Sequence, residues 1–290
     1  MTDRSRPGPT TRRTVREIRA GSVLARRDTV VTEEPLEIRL SWPGHAPAQV
    51  AVVMRTPGND FELAAGFLLA EGVVPRHTAP HSITYCVDRD LSQEQRYNVV
   101  TVTLTEPPLR HPGSRTTSVS SACGVCGTQS LNEVFTALDG AIPVGQPVDA
   151  RVIDGLPDAL RREQSLFAQT GAIHAAGVFT YEGDLVVARE DIGRHNAVDK
   201  VLGARQLGNA TFGEDSILCA SGRVGFDIVA KAVAGRIALI AAVGGPSSLA
   251  LDLADRAGIT VCGFVRSGRC VVYTSPARIG NLRQRSVTPS

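Results

Sequence analysis

The sequence predicts an α/β fold in two unequal parts, and three features predict it. From Leu131 to Tyr273, short apolar runs alternate with segments of helical period, the rhythm of a sheet covered by helices. From Val15 to Leu104, strand-like runs dominate and one helical stretch interrupts them, which reads as a smaller α+β unit. Between the two, Glu106-Pro107-Pro108-Leu109-Arg110-His111-Pro112-Gly113 is a proline-rich boundary. The chain has 290 residues, 42% of them hydrophobic, enough for a substantial core. The division is a disordered basic tail over 1–14, an α+β unit over 15–110 and a linker with a mobile cysteine loop over 111–130. An α/β unit over 131–277 and a polar tail over 278–290 complete it.

The elements follow in order. Thr29-Val30-Val31, the strictly alternating Leu36 to Leu40, and Val50 to Met54 read as strands. Arg55-Thr56-Pro57-Gly58-Asn59-Asp60 turns into a helix with Asn59 and Glu62 as its cap pattern and Phe61, Leu63, Ala64, Phe67 and Leu68 on the buried side. Ile83 to Val87 and Tyr97 to Leu104 are two further strands. In the second part Leu131, Val134, Phe135 and Leu138 have helical spacing, and Pro157 stands at the first position of another helix. Gly177 to Tyr181 and Leu185 to Ala188 form a hairpin around Glu182-Gly183-Asp184. Asp191 leads into a helix through Val198, Val201 and Leu202. Strands Ile217–Ala220, Ile237–Val243 and Ile259–Val265 then alternate with helices from Val224 and Ser247, and Cys270 to Tyr273 is a last strand.

Charge narrows the function classes. The net charge is +2, but eight arginines fall within residues 1–30 and leave the remainder slightly acidic, which argues against nucleic acid as the main partner. No run of 18 apolar residues exists and the N-terminus has no apolar signal core, so the expectation is a soluble cytoplasmic protein away from membranes. Of 31 basic residues only Lys200 and Lys231 are lysines, positions where a compact ammonium is required or where lysine survived by chance.

The most reactive stretch is Thr116 to Thr128, which carries Cys123-Gly124-Val125-Cys126. Ser130 and Glu133 supply a capping box to the helix that follows, so the cysteines lie just ahead of a helix N-terminus, which favours a thiolate. Four readings compete. A structural zinc site needs a second ligand pair, and Cys86, Cys219, Cys262 and Cys270 are scattered. A thioredoxin-type pair follows the first strand of a small domain, whereas this one lies deep in the chain. A structural disulfide does not suit a cytosolic protein. A sulfur-handling cysteine needs only access and thiolate character, which a Ser/Thr/Gly-rich loop provides.

Ser221-Gly222-Arg223, Gly244 to Ser248 and Arg266-Ser267-Gly268-Arg269 all follow C-terminal ends of predicted strands, where open α/β sheets bind ligands. Glycine permits close backbone approach and arginine forks onto phosphate, so the three loops together suggest a phosphorylated, nucleotide-bearing ligand. Arg189 to Lys200 is the densest polar cluster, with His195 and Asp199, and Asn196 and Lys200, as i,i+4 partners. It reads either as a solvated, salt-bridged helix end or as a device that orients an imidazole toward a ligand. Gly171-Ala172-Ile173-His174-Ala175-Ala176 lacks the glutamate of the zinc deaminase H-x-E, because Ala176 stands in its place.

Several blocks together resemble the formate dehydrogenase accessory sulfurtransferase family (FdhD). They are Arg115 to Gly127 around the C-x-x-C, Thr170 to Ala176, Arg189 to Lys200, Ser221-Gly222-Arg223, Pro246 to Ala250 and Gly263 to Arg266. Arg55 to Gly72 matches as well, in collinear order from about residue 30 to 280. The resemblance implies a cytidine-deaminase-like C-terminal domain used as a binding scaffold without a tightly bound metal of its own, beside the smaller N-terminal α+β domain. It implies a homodimer, a cysteine desulfurase as sulfur donor and formate dehydrogenase as recipient. The cargo is the molybdenum bis(molybdopterin guanine dinucleotide) cofactor. Cys123 matches the persulfide-bearing cysteine and Cys126 its companion. Phe264, Val265, Arg266, Ser267, Gly268 and Arg269 match the cofactor-binding segment, where Ser267 and Val271 replace a more usual Gly and Asn. Two rival readings stand beside this one: a zinc-dependent nucleotide hydrolase or deaminase, and a non-catalytic cofactor chaperone.

Overall fold

The computed structural model describes residues 8–76, 78–86, 97–110, 141–266 and 268–281. The predicted helix at Leu131 to Leu138 and the cysteine loop lie outside the described residues. The chain opens with an antiparallel hairpin, β1 (Thr10–Arg19) on β2 (Ser22–Val31), whose turn places Ala20 and Gly21 at φ 47° and 81°. Two successive left-handed residues match the twist of the flanking strands. Thr10 to Thr14 therefore belong to a strand rather than to the expected tail: cross-strand pairing with Val31 to Arg27 supplies backbone partners that local composition does not reveal.

Next come β3 (Glu34–Trp42), β4 (His45–Arg55), helix α1 (Asp60–Ala70), β5 (Ser82–Tyr85) and β6 (Val99–Thr103). They build a four-stranded sheet in the order β4-β3-β6-β5, with β3 and β6 parallel. After a short β7 (Val148–Asp149) come α2 (Ala150–Glu163) and α3 (Ser165–Thr170). The hairpin β8 (His174–Thr180) and β9 (Leu185–Asp191) leads into α4 (Arg194–Gln206). Then β10 (Ser216–Ala220), α5 (Phe226–Gly235), β11 (Leu239–Ala242), α6 (Ser248–Ala257), β12 (Thr260–Arg266) and β13 (Arg269–Val272) alternate as predicted. The second sheet has the order β13-β12-β11-β10-β8-β9, with β10, β11 and β12 parallel and the other pairs antiparallel. The α/β class read from the sequence is the class observed.

Strand side chains alternate faces, and the alternation divides the core in two. Ala176, Val178, Leu218, Ala220, Ile240 and Ala242 face α1, α4, α5 and α6. Ala175, Phe179, Ile217, Cys219, Leu239 and Ala241 face α2. The first cluster continues through α1 into Leu36, Ile38, Val100 and Val102 of the four-stranded sheet, so helix α1 lies between the two sheets' helical and stranded layers. That position explains why α1 is buried nearly all round and carries no single apolar stripe.

Helix starts differ from expectation at two points. Asn59 adopts φ 54° and its side chain caps nothing; Glu62 is instead drawn across to the second unit. Asp60 organises the entry, accepting from Gly58 N (3.1 Å), Tyr85 Oη (2.9 Å) and both Nε and Nη2 of Arg55 (3.1 Å each). Pro157 is not the first residue of its helix but lies inside α2, which begins at Ala150 behind the Asp149 cap (2.8 Å to Arg151 N). Burial of Ile153, Leu156 and Leu160 along one face holds the helix through the missing bond. Arg278, read as the start of a polar tail, is fully buried and donates to the carbonyls of Gly258, Ile142 and Pro143 and to Thr260 Oγ1.

The two units touch backbone to backbone where α1 crosses α4. A Cβ on Gly66 would stand 1.8 Å from the Asp199 carbonyl oxygen, and one on Gly203 1.7 Å from that of Glu62. Only glycine permits that approach. Gly203→Ala should therefore cost at least about 2 kcal/mol through overpacking. Chemical denaturation measures it, and an unchanged midpoint would show that the helices separate without penalty.

Candidate functional site

The site is assembled on the network that joins the units. The Asp191 carboxylate, fully buried at the end of β9, accepts from Thr56 N (3.1 Å), Gly193 N (2.9 Å) and Asn196 Nδ2 (2.9 Å). Lys200 Nζ closes on it at 2.7 Å and also donates to the carbonyls of Thr56 (3.0 Å) and Glu190 (3.2 Å). Asn196 donates to Met54 O (2.7 Å), and Ile192 N to Thr56 Oγ1 (3.2 Å). Arg189 grips Glu62 through two bonds of 2.5 and 2.7 Å, and Asn209 joins them at 3.1 Å. Lys231 pairs with Asp199 at 2.6 Å; burial pushes the Asp199 carboxyl up to about 6, against the pull of Lys231.

The Arg189 to Lys200 cluster is thus mostly a buried seam, not a solvated helix end. His195 does not pair with Asp199, which turns inward to Lys231. Nor do Asn196 and Lys200 pair with each other, since both are spent on Asp191. The seam needs three diverging donors from one compact ammonium, which is why lysine rather than arginine stands at position 200.

What remains polar and accessible gathers at the C-terminal ends of β10, β11 and β12. Two of the three predicted loops interlock there and β12 joins them: Gly244 N donates to Gly222 O (3.1 Å), Val224 N to Gly245 O (3.2 Å) and Phe264 N to Gly244 O (3.2 Å). A Cβ at Gly244 would meet Gly222 O at 2.8 Å, and one at Gly245 would enter the Phe264 ring at 2.6 Å, so side chains are excluded from both positions. A β-bulge between Gly263 and Arg266 puts Phe264 at φ 53° and leaves its ring 37% exposed, a strained turn-out at the rim.

Beneath the rim lies a cavity of about 580 Å³. His174, Ser221, Val265 and Arg266 line it from the sheet, and Asp154, Arg161, Gln164 and Phe167 from α2, the Gln164 junction and α3. The Arg161 guanidinium sits 3.5 Å over the Phe167 ring. Glu190 accepts from Leu166 N and Phe167 N (2.9 and 2.8 Å), which fixes α3 to β9. Gln164 is 5% exposed and its Nε2 has no protein acceptor; Arg194 Nε is likewise buried without one. Burial, then Arg194, His195 and Arg223, hold His174 below its ordinary pKa. Arg194 and His195 share Asp227, each at 3.6 Å, and both stand near His174. The lining sets Arg161 and Arg266 beside Asp154 and Asp158, and the volume suits a small-molecule ligand.

The predicted residues divide accordingly. Val265 and Arg266 line the cavity, the Phe264 ring lies against Gly245, and Gly268 N donates to the Asp154 carboxylate at 2.5 Å. Arg269 opens β13 and is exposed. Cys123, Cys126 and Ser267 lie outside the described residues. Gln164, Arg161 and Arg194 were not singled out for this place in the sequence. A glutamine between two helices carries no signal, and Arg194 was hidden inside a cluster whose other members are structural. Among the described residues no three His, Cys, Asp or Glu side chains converge to hold a metal ion, and no helix is long and apolar enough to cross a membrane.

Fold and site define an α/β protein with an arginine- and glycine-rimmed cavity at the ends of its parallel strands. The model of the FdhD/NarQ family matches residues 31–280, and the chain belongs to that family. It is 45% identical over 276 residues to the sulfur carrier protein FdhD of Streptomyces coelicolor, covering 93% of this chain and 95% of that one. It is 44% identical over 279 residues to the protein of the same name from Mycobacterium tuberculosis, covering 93% and 98%. Among solved structures it is similar to a Desulfotalea psychrophila protein assigned as a formate dehydrogenase accessory protein. The TM-score there is 0.73 at 26% identity, covering 93% of this chain and 99% of that one.

The buried seam makes a direct prediction. Lys200→Met leaves Asp191 buried without its counter-charge, a loss of about 3–5 kcal/mol. Equilibrium unfolding of the variant measures it, and a loss under about 1 kcal/mol would show that Asp191 is satisfied by its neutral donors alone.

Proposed function

We propose that this chain is a sulfur carrier for formate dehydrogenase maturation. A cysteine desulfurase delivers sulfur to Cys123, which holds it as a persulfide with Cys126 as companion. The chain then passes that sulfur to the molybdenum bis(molybdopterin guanine dinucleotide) cofactor, its bound substrate, before insertion into formate dehydrogenase. The transfer makes the protein a sulfurtransferase, acting in the cytoplasm as a homodimer. The observation that carries this reading is the cavity, in a chain whose relatives are named sulfur carriers. Its lining carries Arg161 and Arg266, its volume suits a small-molecule ligand, and Gln164 Nε2 is buried in it without a protein acceptor. A cavity of about 580 Å³ takes one guanine nucleotide and not a whole bis-dinucleotide. Two chains would take the two halves, which is the argument for the dimer.

Chemically, the Cys123 thiolate attacks the outer sulfur of the donor persulfide and the desulfurase thiolate leaves. Arg266 and the loop amides bind phosphate, Gln164 Nε2 meets a base or sugar acceptor, and Phe264 offers a ring at the rim.

Two outcomes test the reading. Cys123→Ser should abolish transfer of labelled sulfur from a desulfurase, because a hydroxyl forms no persulfide. Retention of stoichiometric label on that variant would refute the assignment. Separately, Arg266→Glu should weaken GDP binding at least about tenfold, the equivalent of one charge-assisted hydrogen bond. Phosphate binding should also raise the depressed pKa of His174, so GDP affinity should climb as pH falls toward that group's ordinary range. Calorimetry across pH, with the His174 ring followed by NMR, reads both. An unmoved His174 resonance places the nucleotide elsewhere.

A further inference from the structure

The hairpin of β1 and β2 takes no part in the cavity, yet it carries six arginines, Arg12, Arg13, Arg16, Arg19, Arg26 and Arg27, against Glu17 and Asp28. Only its last residue, Val31, falls within the stretch that the family model matches. Residues directly opposite in an antiparallel pair share a face, and the register separates these charges. Glu17, Arg19, Arg26 and Asp28 lie on one face. There Arg19 and Arg26 both pair with Glu17 (2.9 and 2.8 Å), and Arg26 pairs also with Asp28 (3.0 Å). The other face holds Arg12, Arg16 and Arg27, the apolar pair Ile18 and Val23 at the tip, and no carboxylate.

That second face gains nothing from folding. Arg27 stands opposite Thr14 and so lies diagonal to both Arg12 and Arg16, which sets three like charges within reach of one another. No ion pair among the described residues uses any of them. All three are exposed, and Ile18 and Val23 keep 74% and 64% of their surface in water. Uncompensated arginine beside exposed apolar surface is the composition of a contact surface, and the self-neutralised face behind it is not.

Size, place and charge define what covers it. From Arg12 to Ile18 the free face is about 20 Å long and about 10 Å wide, against about 800 Å² for one side of a stable interface, so it adds to a contact made elsewhere. β2 packs against α3, whose Phe167 lines the cavity, so a partner that reaches the cavity past α3 meets the hairpin as well. Nucleic acid is the poorer match. Three arginines make about three phosphate contacts, where strong binding uses on the order of six to ten. The chain beyond residue 30 is slightly acidic, and Ile18 and Val23 have no use on a phosphate backbone. An acidic protein surface uses the whole face.

We propose that this face is a docking arm for an acidic surface of the protein that receives the cavity's ligand, under the proposed function the cofactor-free formate dehydrogenase. Arg12, Arg16 and Arg27 steer and align that surface, and Ile18 and Val23 bury against it at the tip. This role rests on the sulfur-carrier reading, yet it can fail separately, because no hairpin residue lines the cavity.

The test is binding of the full chain to immobilised, cofactor-free formate dehydrogenase from the same organism, followed by biolayer interferometry at about 50 mM and about 500 mM NaCl. A variant with Arg12→Gln, Arg16→Gln and Arg27→Gln should bind about tenfold more weakly at the lower salt. At the higher salt the Debye length falls below about 5 Å, and the variant should approach wild type. Arg13→Gln, Arg19→Gln and Arg26→Gln together remove the same charge from the other face and should leave affinity within about twofold of wild type. Ile18→Ser with Val23→Ser should weaken binding at both salt concentrations. Every substituted side chain is exposed, so folding is not at stake, and unchanged GDP affinity and Cys123 labelling would tie the losses to docking. Absence of wild-type binding refutes the recipient that the sulfur-carrier reading names, and the arm with it. Wild-type binding with equal loss in both arginine variants, or with no loss from the free face, overturns the arm alone. So does a changed oligomeric state of the first variant by light scattering, which would make a second copy of this chain the occupant.

Discussion

Everything at the junction of the two units depends on the buried carboxylate of Asp191. Removing a carboxylate from water costs several kcal/mol, and that cost is recovered only if its oxygens are fully satisfied. Two backbone amides, one side-chain amide and one ammonium satisfy them here, and these donors come from three separate stretches: Thr56, Gly193 to Asn196, and Lys200. The carboxylate therefore ties the loop before α1 to the turn between β9 and α4. Once they are tied, α1 and α4 must cross at Gly66 and Gly203, and Glu62 arrives opposite Arg189. A hydrophobic junction of the same size would bind as strongly but would tolerate sliding; a satisfied polar seam tolerates much less.

The seam matters for chemistry because of what it leaves over. Arg194 and His195 begin the helix whose later residues are consumed by the seam, so they are held near His174 by a rigid neighbour rather than by a loop. Glu190, next to Asp191, caps α3 and thereby sets the cavity wall that carries Phe167. Gln164 and Arg194 keep buried donors free because nothing in the protein itself requires them. Among the described residues three buried side-chain donors lack a protein acceptor, Gln164 Nε2, Arg194 Nε and Arg278 Nε, and the one that lines the cavity is Gln164, where a ligand acceptor can meet it.

The bulge in β12 gives the rim a second property. It turns Phe264 outward in a left-handed conformation and precedes Arg266, which lines the cavity and pairs with Arg269 across the ladder. Aromatic surface and positive charge thus meet on one irregular strand pair at the sheet edge, where distortion costs the ladder least.

Much of the fold was legible locally. The alternation from Gly177 onward identified β8 through β13 because buried strands and amphipathic helices have different periods, and Ser247 marked the start of α6 by its own capping bond. The three loops were readable because glycine and arginine after a strand have few other uses at that frequency. What the sequence did not disclose were choices settled by distant partners. Thr10 to Thr14 became a strand only through β2, Glu62 left its cap for Arg189, and Arg278 went inside to meet carbonyls from residues 142, 143 and 258. The dense polar block from Arg189 to Lys200 is the sharpest case. Its residue types were plain, but whether a charge faces water or another charge depends on what packs over it. By itself the sequence determined periodicity, turn chemistry and family. The tertiary structure alone decided which polar groups are spent on folding and which remain for a ligand, because hydrogen-bond satisfaction is a property of the whole enclosure and not of any segment.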